Sequence, residues 1–202
     1  MIIGPKYKIA RRLGAPIFEK TQTQKYALRL EHKGRKVGFS KPKSEFAIQL
    51  NEKQKARFVY GMSEKQFSNY VKEALLKKTP NTSQTIFGFL ERRLDNAVYR
   101  IGFAGTRLGA RQMVSHGHIT VNGKRTSIPS RRLMTGDKIE ICSGSVSKAL
   151  FKDLDERIKN TVVPPWIKFD VVRKVAEIQG HPVLIKSEHL FDLNTVIEFY
   201  SR

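Results

Sequence analysis

The sequence predicts an α+β fold made of helices followed by a small antiparallel sheet, and three observations carry this prediction. Apolar residues recur at steps of three and four over residues 63–101, which is the spacing of amphipathic helices. Over residues 119–121 and 139–141 they alternate instead, which is typical of half-buried strands. Asn122-Gly123 follows the first alternating run and predicts a two-residue hairpin turn.

Composition limits the classes of function. The 202 residues carry 38 Lys and Arg against 18 Asp and Glu, a formal net charge of +20, and a protein this cationic attracts polyanions. Hydrophobic residues make up 40% of the chain, enough for a core. A single cysteine, Cys142, excludes an internal disulfide framework. With no apolar run of about 18 residues and no recognisable secretory signal, we expect a soluble nucleic-acid binder in a reducing compartment. Binding to an anionic membrane surface is the alternative.

Basic residues are concentrated in the N-terminal third and in residues 101–150. Residues 1–60 hold 15 basic and 4 acidic residues, net +11, whereas residues 151–202 are neutral. Residues 1–43 lack a sustained apolar period, so we expect a basic arm that buries little apolar surface by itself. Such an arm is either a solvated disordered tail or a segment that orders on a phosphate backbone. Aromatic groups able to stack favour the second interpretation: Phe18, Tyr26 and Phe39.

Capping residues and glycines delimit the predicted helices. A helix over residues 50–60 ends at Gly61, and Ser63 opens the next helix with Gln66 at the position that completes a capping box. A third helix is predicted over residues 83–101. The remaining predicted elements are a helix at 107–115 capped by Thr106, strands at 119–121 and 139–141, a polar helix near 147–159, and strands at 167–169 and 196–200.

The stretch from the third helix to the hairpin concentrates groups that bind phosphate. Arg107 and Arg111 are four residues apart and share one face of a helix, and Lys124 lies at the hairpin. A guanidinium group donates two parallel hydrogen bonds to a phosphate, so an array of such groups predicts a phosphate-binding patch. A solvated basic face is the alternative interpretation. We expect Asp95 to pair with Arg92 or to cap a turn rather than to contact a ligand.

Several motifs resemble one known family. Arg93-Leu94-Asp95, Thr106-Arg107 and the run over residues 110–124 resemble the small RNA-binding module named after ribosomal protein S4. That module also occurs in RNA-modifying enzymes, but the flanks resemble the bacterial type of the S4 ribosomal protein family. The flanking motifs lie at residues 4–12, 49–55, 60–61, 64–67, 165–167 and 196–201.

The resemblance implies a mainly helical body domain at residues 44–91 completed by 152–202, an S4-type RNA-binding module inserted at 92–151, and a basic N-terminal arm at 1–43. It implies a structural protein, not an enzyme, that binds the 5′ domain of small-subunit rRNA and helps nucleate assembly of the subunit body. Implied partners are ribosomal protein S5, a contact linked to translational accuracy, other small-subunit proteins, and mRNA near its entry channel. The implied location is the ribosome of the bacterial cytoplasm, with an organelle ribosome as the alternative. Neither a membrane nor a homo-oligomer is implied.

The predicted contacts come from the arm, the first body helix and the module. Basic residues are expected to neutralise phosphates, and Gln112 and Ser115 to bind 2′-hydroxyls or base edges. The predicted rRNA contacts are Lys6, Lys8, Arg11, Arg12, Lys53, Lys55, Arg57, Arg93, Arg107, Arg111, Gln112, Ser115, His116, Lys124 and Arg131. No cofactor or metal is expected. Some family members hold zinc through cysteines in the arm, but here residues 1–43 contain no Cys and one His, His32.

Three other interpretations predict different behaviour. An RNA-modifying enzyme needs a second, catalytic domain, and the sequence contains no nucleophile elbow, Walker loop or zinc-protease motif. A helix-turn-helix regulator built on residues 83–101 and 107–115 predicts B-form DNA, dimers and spaced half-sites. A binder of anionic membranes needs an amphipathic helix with a bulky apolar face, which we do not find in the arm sequence.

Overall fold

The computed structural model of the protein describes residues 3–34, 44–185 and 189–201; Phe39 lies outside them. Its α-helices are α1 Lys6–Leu13, α2 Gln24–Gly34, α3 Glu45–Val59, α4 Glu64–Leu76, α5 Thr82–Glu91, α6 Leu94–Arg100, α7 Arg107–Ser115, α8 Leu154–Asn160 and α9 Leu193–Tyr200. Its strands are β1 Ile119–Val121, β2 Lys124–Thr126, β3 Lys138–Ile141, β4 Ile167–Asp170 and β5 Val175–Ile178. Within these ranges no helix combines the length and the hydropathy needed to cross a membrane.

The chain divides into two compact units. The first contains residues 1–86 and 185–202, and the second contains residues 87–184. This division differs from the expected one, in which the whole of residues 152–202 completed the helical body. The physical reason is backbone pairing, because β5 forms an antiparallel ladder with β3 and β4 pairs with β5. Only residues 185–202 return to the first unit.

The described strands form one antiparallel sheet in the order β2–β1–β3–β5–β4. Asn122 and Gly123 have φ values of 54° and 74°, the left-handed conformation that a two-residue hairpin turn of this kind requires. The predicted hairpin is therefore confirmed. The sheet shares one hydrophobic core with α6 and α7, and the buried members include Leu94, Val98, Met113, Val114, Ile119, Ile139, Trp166 and Ala176.

The single helix expected over residues 83–101 is two helices. α5 ends at Glu91, and Arg93 is extended, with φ −71° and ψ 140°, before α6 begins. The backbone here pairs with a distant segment, since Leu133 N donates to Arg92 O at 2.8 Å. The apolar spacing continues across the break, so this long-range pairing is what separates the two helices.

The chain ends in a helix where a strand was expected over residues 196–200. Asp192 caps α9 by accepting a backbone hydrogen bond at 3.0 Å. Leu193 and Val196 are buried, three residues apart, and α9 packs on α3. The run of branched and aromatic residues over 196–200 favours a strand, but packing of one helical face on α3 decides the conformation.

The N-terminal arm is more structured than expected. Gly14 follows the last residue of α1, and its φ of 69° is the left-handed conformation common just after a helix. A buried apolar cluster joins α1, α2 and the turn between them: Ala10, Leu13, Ile17, Phe18 and Tyr26. Phe18 meets Phe58 of α3 edge to face, with 6.1 Å between ring centroids. Over residues 3–34 the arm therefore buries apolar surface, in part against α3.

Candidate nucleic-acid interface

α7 has one buried and one exposed side. Thr106 caps its first turn by accepting a hydrogen bond from Gly109 N at 3.0 Å, as its sequence predicts. The residues that fix α7 in the core are Ala110, Met113 and Val114. The exposed predicted contacts on and just after this helix are Gln112, Ser115 and His116. Because the apolar side of α7 is buried in the core, these polar groups face solvent and can contact a ligand.

A buried network holds the side chain of Arg107 in place. Glu91 is 1% exposed and accepts two hydrogen bonds from Arg100, both at 2.9 Å. Its carboxylate also accepts one from Asn96 Nδ2 at 3.0 Å, and Asn96 Oδ1 in turn accepts from Arg107 Nε at 2.8 Å. The Arg107 guanidinium lies over the Tyr99 ring, 4.4 Å from its centroid. The half-buried cation is thus oriented by the fold before any ligand binds.

Arg93 is a correction to the predicted contact set. Its side chain is 1% exposed and forms a two-bond pair with Asp95, at 2.9 Å from Nε and 2.6 Å from Nη2. Asp95 also accepts a bond from the backbone N of Asn96 at 2.9 Å. The structure thus encloses this guanidinium in an ion pair instead of presenting it to solvent. Asp95 is structural as expected, although its partner is Arg93 rather than Arg92.

Four positively charged or titratable side chains meet beyond the C-terminal end of α7: His116, His118, Arg125 and Lys148. We call them the hairpin-end cluster. Arg125 Nη2 donates to the backbone O of His116 at 3.0 Å, and the rings of His116 and His118 are 6.1 Å apart. His118 Nδ1 lies 2.9 Å from Ser145 Oγ. Arg125 and Lys148 are exposed and were not in the predicted contact set.

Burial and the neighbouring positive charges act in the same direction on the pKa of His118. Burial lowers its pKa below the ordinary 6.5, and the charges of Lys148, His116 and Arg125 lower it further. Three separate segments of the chain supply these cations, which is why local sequence patterns do not bring them together. An anion placed here would meet several positive groups at once.

Lys53, on α3, is a second correction. Its residue is 6% exposed, and Nζ lies 2.7 Å from Glu64 Oε1 and 4.5 Å from the centroid of the Phe199 ring. The Lys53 ammonium therefore binds groups within the first unit. Its neighbours on α3 are half-buried in ion pairs as well: Lys55 Nζ is 2.6 Å from Glu52, and Arg57 is 3.4 Å from Glu64.

Glu64 is the carboxylate that Lys53 and Arg57 share. Burial by itself raises the pKa of Glu64, but hydrogen bonds from Lys53 and Tyr200 and the charges of Lys53 and Arg57 outweigh it. The net result is a pKa below the ordinary 4.5. Burial and the Glu64 charge in turn raise the pKa of Tyr200, which donates to Glu64 Oε1 at 3.0 Å. This group of charges stabilises the contact between α3, α4 and α9.

The other predicted contacts lie at or near the surface. On α1 the exposed ones are Lys8, Arg11 and Arg12. Lys6 is half-buried, with Nζ 5.6 Å from the centroid of the Phe18 ring. In the second unit Lys124 is exposed at the hairpin, while Arg131 is half-buried and Arg111 Nη1 lies 4.0 Å from Asp95 Oδ2.

Over residues 3–34, 44–185 and 189–201, no three His, Cys, Asp or Glu side chains are grouped so as to hold a metal ion.

Known proteins are similar to this chain over nearly its full length. Residues 1–91 match the family model described as ribosomal protein S4/S9 N-terminal domain, and residues 92–139 match the S4 domain. The small ribosomal subunit protein uS4 of Akkermansia muciniphila is 40% identical over 200 residues, 98% of each chain. The proteins of that name from Aquifex aeolicus and Thermus thermophilus are each 39% identical, over 99% of this chain and 98% of their own.

Proposed function

The chain belongs to the ribosomal protein S4 family, and from that premise we propose that it is a structural protein of the small ribosomal subunit that binds rRNA. The family is one of ribosomal structural proteins, not of enzymes. The observation that carries the proposal to this chain is the hairpin-end cluster beside α7. Arg125 and Lys148 supply two exposed cations there, beside His116 and His118, and Arg125 Nη2 donates to the backbone O of His116 at 3.0 Å.

Folded RNA is a suitable partner for such a surface. The major groove of an A-form helix is too narrow and deep for side chains to read, so proteins recognise its shape, phosphates and 2′-hydroxyls. Pre-oriented guanidinium groups bind phosphates without ordering a flexible side chain first. Arg107 meets this requirement because Asn96 and Tyr99 already fix it. The exposed Gln112 and Ser115 supply hydrogen-bonding groups for 2′-hydroxyls.

The proposed contact set follows exposure. Arg93 and Lys53 are left out because both are buried in ion pairs. Arg125 and Lys148 enter because they complete the hairpin-end cluster. The proposed rRNA contacts are Lys8, Arg11, Arg12, Arg107, Arg111, Gln112, Ser115, His116, Lys124, Arg125, Arg131 and Lys148. Lys6, Lys55 and Arg57 contribute positive potential to the binding surface while keeping the intramolecular contacts described above.

The finer assignments extend the same proposal. Residues 92–151 act as the RNA-binding module, and β4 and β5 support its sheet. The binding site is the 5′ domain of small-subunit rRNA, where the protein helps nucleate assembly of the subunit body. Its neighbours are ribosomal protein S5 and mRNA at the entry channel, with an effect on translational accuracy, in the ribosomes of a bacterial cytoplasm. Family membership together with the resemblance of both flanks supports these assignments.

A charge-matched pair of double variants tests the proposed surface. Lys124→Ala, Arg125→Ala removes two exposed cations from β2, at one edge of the sheet. Lys168→Ala, Arg173→Ala removes two from β4 and the turn after it, at the opposite edge. In titrations with 5′-domain rRNA, the first variant is expected to bind more weakly. The slope of log K against log salt should fall in magnitude by about 1 to 2, from two lost phosphate contacts. The second should keep the wild-type slope, and equal effects of the two would reject the surface.

A further inference from the structure

A groove between α1 and α2 has a composition that the proposed phosphate contacts do not explain. Its volume is about 230 Å³. It is lined by Tyr7, Lys8, Arg11, Tyr26, Arg29 and Leu30. Three cations therefore surround two aromatic rings and one leucine. Neutralising phosphates does not require an exposed aromatic ring such as that of Tyr7.

The two tyrosines have different roles in the groove. Their rings stack with 5.6 Å between centroids and an angle of 29° between planes. Tyr26 is 7% exposed and belongs to the apolar cluster that holds α1 and α2 together. Tyr7 is 46% exposed. Tyr26 thus fixes the position of the Tyr7 ring, and Tyr7 presents ring surface to the solvent.

Three exposed cations line the groove beside the tyrosine rings. Lys8 and Arg11 follow Tyr7 on α1, and Arg29 lies on α2; all three are exposed. Unpaired RNA bases commonly stack on aromatic side chains while cations neutralise the adjoining phosphates. The volume is below the roughly 300–1,000 Å³ of pockets that enclose a drug-sized ligand. This size suits a single base rather than a longer segment.

We propose that this groove holds one unpaired base of the bound RNA, stacked on Tyr7, with the flanking phosphates on Lys8, Arg11 and Arg29. This inference rests on the proposed function, because it names a nucleotide site within the same RNA. It makes Tyr7 a specific anchor and gives the arm a role beyond general positive charge. A protein partner seated in the groove instead would leave RNA affinity insensitive to Tyr7.

Substitution of Tyr7 in the full chain separates stacking from charge. Tyr7→Leu should raise the Kd for 5′-domain rRNA by about 5- to 150-fold, the usual range for one lost base–aromatic stack. The salt slope should stay at the wild-type value, because no cation is removed. Tyr7→Phe, which keeps the ring, should restore affinity. Leu28→Ala, an exposed apolar truncation on α2 outside the groove, should bind like wild type.

Unchanged affinity of Tyr7→Leu overturns the base site, and so does a loss of affinity that Leu28→Ala shares equally. If far-ultraviolet circular dichroism shows that Tyr7→Leu has lost helix, ultraviolet crosslinking of wild type to the RNA decides instead. A crosslink on the peptide that contains Tyr7 supports the site, and crosslinks confined to other peptides reject it. Failure of the proposed function is distinguishable, because wild type itself would then show no preference for this RNA over duplex DNA.

Discussion

At the scale of single residues, the Arg93–Asp95 pair shows how strongly burial determines what a charge does. The two side chains are 1% and 6% exposed. Moving ions out of water costs several kcal/mol each, and only good geometry with further hydrogen bonds offsets this cost. Two charge-assisted bonds and a backbone N–H donor meet that condition here. Removing one partner would leave the other charge buried without its closest counter-charge.

The variant Asp95→Asn tests this reading of the pair. It keeps the side-chain shape but leaves the Arg93 guanidinium without its counter-charge. We expect the free energy of unfolding to fall by about 3–5 kcal/mol. The matched control is Asp155→Asn, whose ion pair with Lys174 is largely exposed and is expected to contribute about 0–1 kcal/mol. Urea unfolding of both variants measures the difference. Equal small losses would mean that the buried pair is not structural.

Glu64 predicts a pH dependence of stability. Its pKa in the folded protein is lowered, so its contribution is fully present above the ordinary value of 4.5 and is lost as pH falls through the folded value. Wild type should therefore be more stable than Glu64→Gln at pH 7, and this advantage should shrink below about pH 4.5. The control Glu156→Gln removes an exposed carboxylate from α8, a change that should leave stability at pH 7 near the wild-type value. Thermal unfolding of the three proteins over pH 3–7 provides the measurement. A stability difference between wild type and Glu64→Gln that stayed constant over this pH range would contradict a lowered pKa for Glu64.

The contact set also shows which part of the site could be predicted from residues alone. Gln112, Ser115 and Lys124 are exposed as their local patterns indicate, because helix period and hairpin register decide which side of an element a residue occupies. The burial of Arg93 and Lys53 could not be predicted, because their carboxylate partners and buried surroundings come from the tertiary fold. Lys148 reaches the hairpin-end cluster from a segment distant in sequence.

At the scale of elements, those set by local sequence signals could be predicted, whereas those set by long-range packing could not. α7 and the β1–β2 hairpin follow from a Thr cap and an Asn-Gly turn, both of which act within a few residues. The break between α5 and α6 depends on backbone pairing with Leu133, about forty residues away. The helical α9 depends on α3. Short apolar runs are ambiguous between helix and strand when such partners are unknown.

Packing of α9 on α3 leads to a stability prediction. Leu193 is 2% exposed, and Leu193→Ala should lower the free energy of unfolding by about 2–5 kcal/mol through lost burial and a residual cavity. Leu190→Ala is the matched control, because Leu190 precedes α9 and is 41% exposed; its effect should stay within about 0.5 kcal/mol. Denaturant unfolding compares them. If the two truncations cost the same, the helix is not held by this face.

At the scale of the whole molecule, the net charge of +20 and the placement of cations make separable predictions. Charge alone attracts any polyanion and weakens as salt rises. Recognition of folded RNA requires in addition that cations and polar groups match a particular backbone geometry. Both units carry candidate contacts, α1 in the first and the hairpin-end cluster in the second. We propose that these placed groups, rather than net charge, determine which nucleic acid is bound.

Competition between RNA and DNA tests that claim most directly. Wild-type protein is titrated with 5′-domain small-subunit rRNA at low and physiological salt, with excess B-form duplex DNA as competitor. We expect the protein to bind this RNA tightly at both salt concentrations, even with excess DNA present. Equal affinity for the two nucleic acids, with both lost together as salt rises, would contradict it, because net charge alone would then explain the binding.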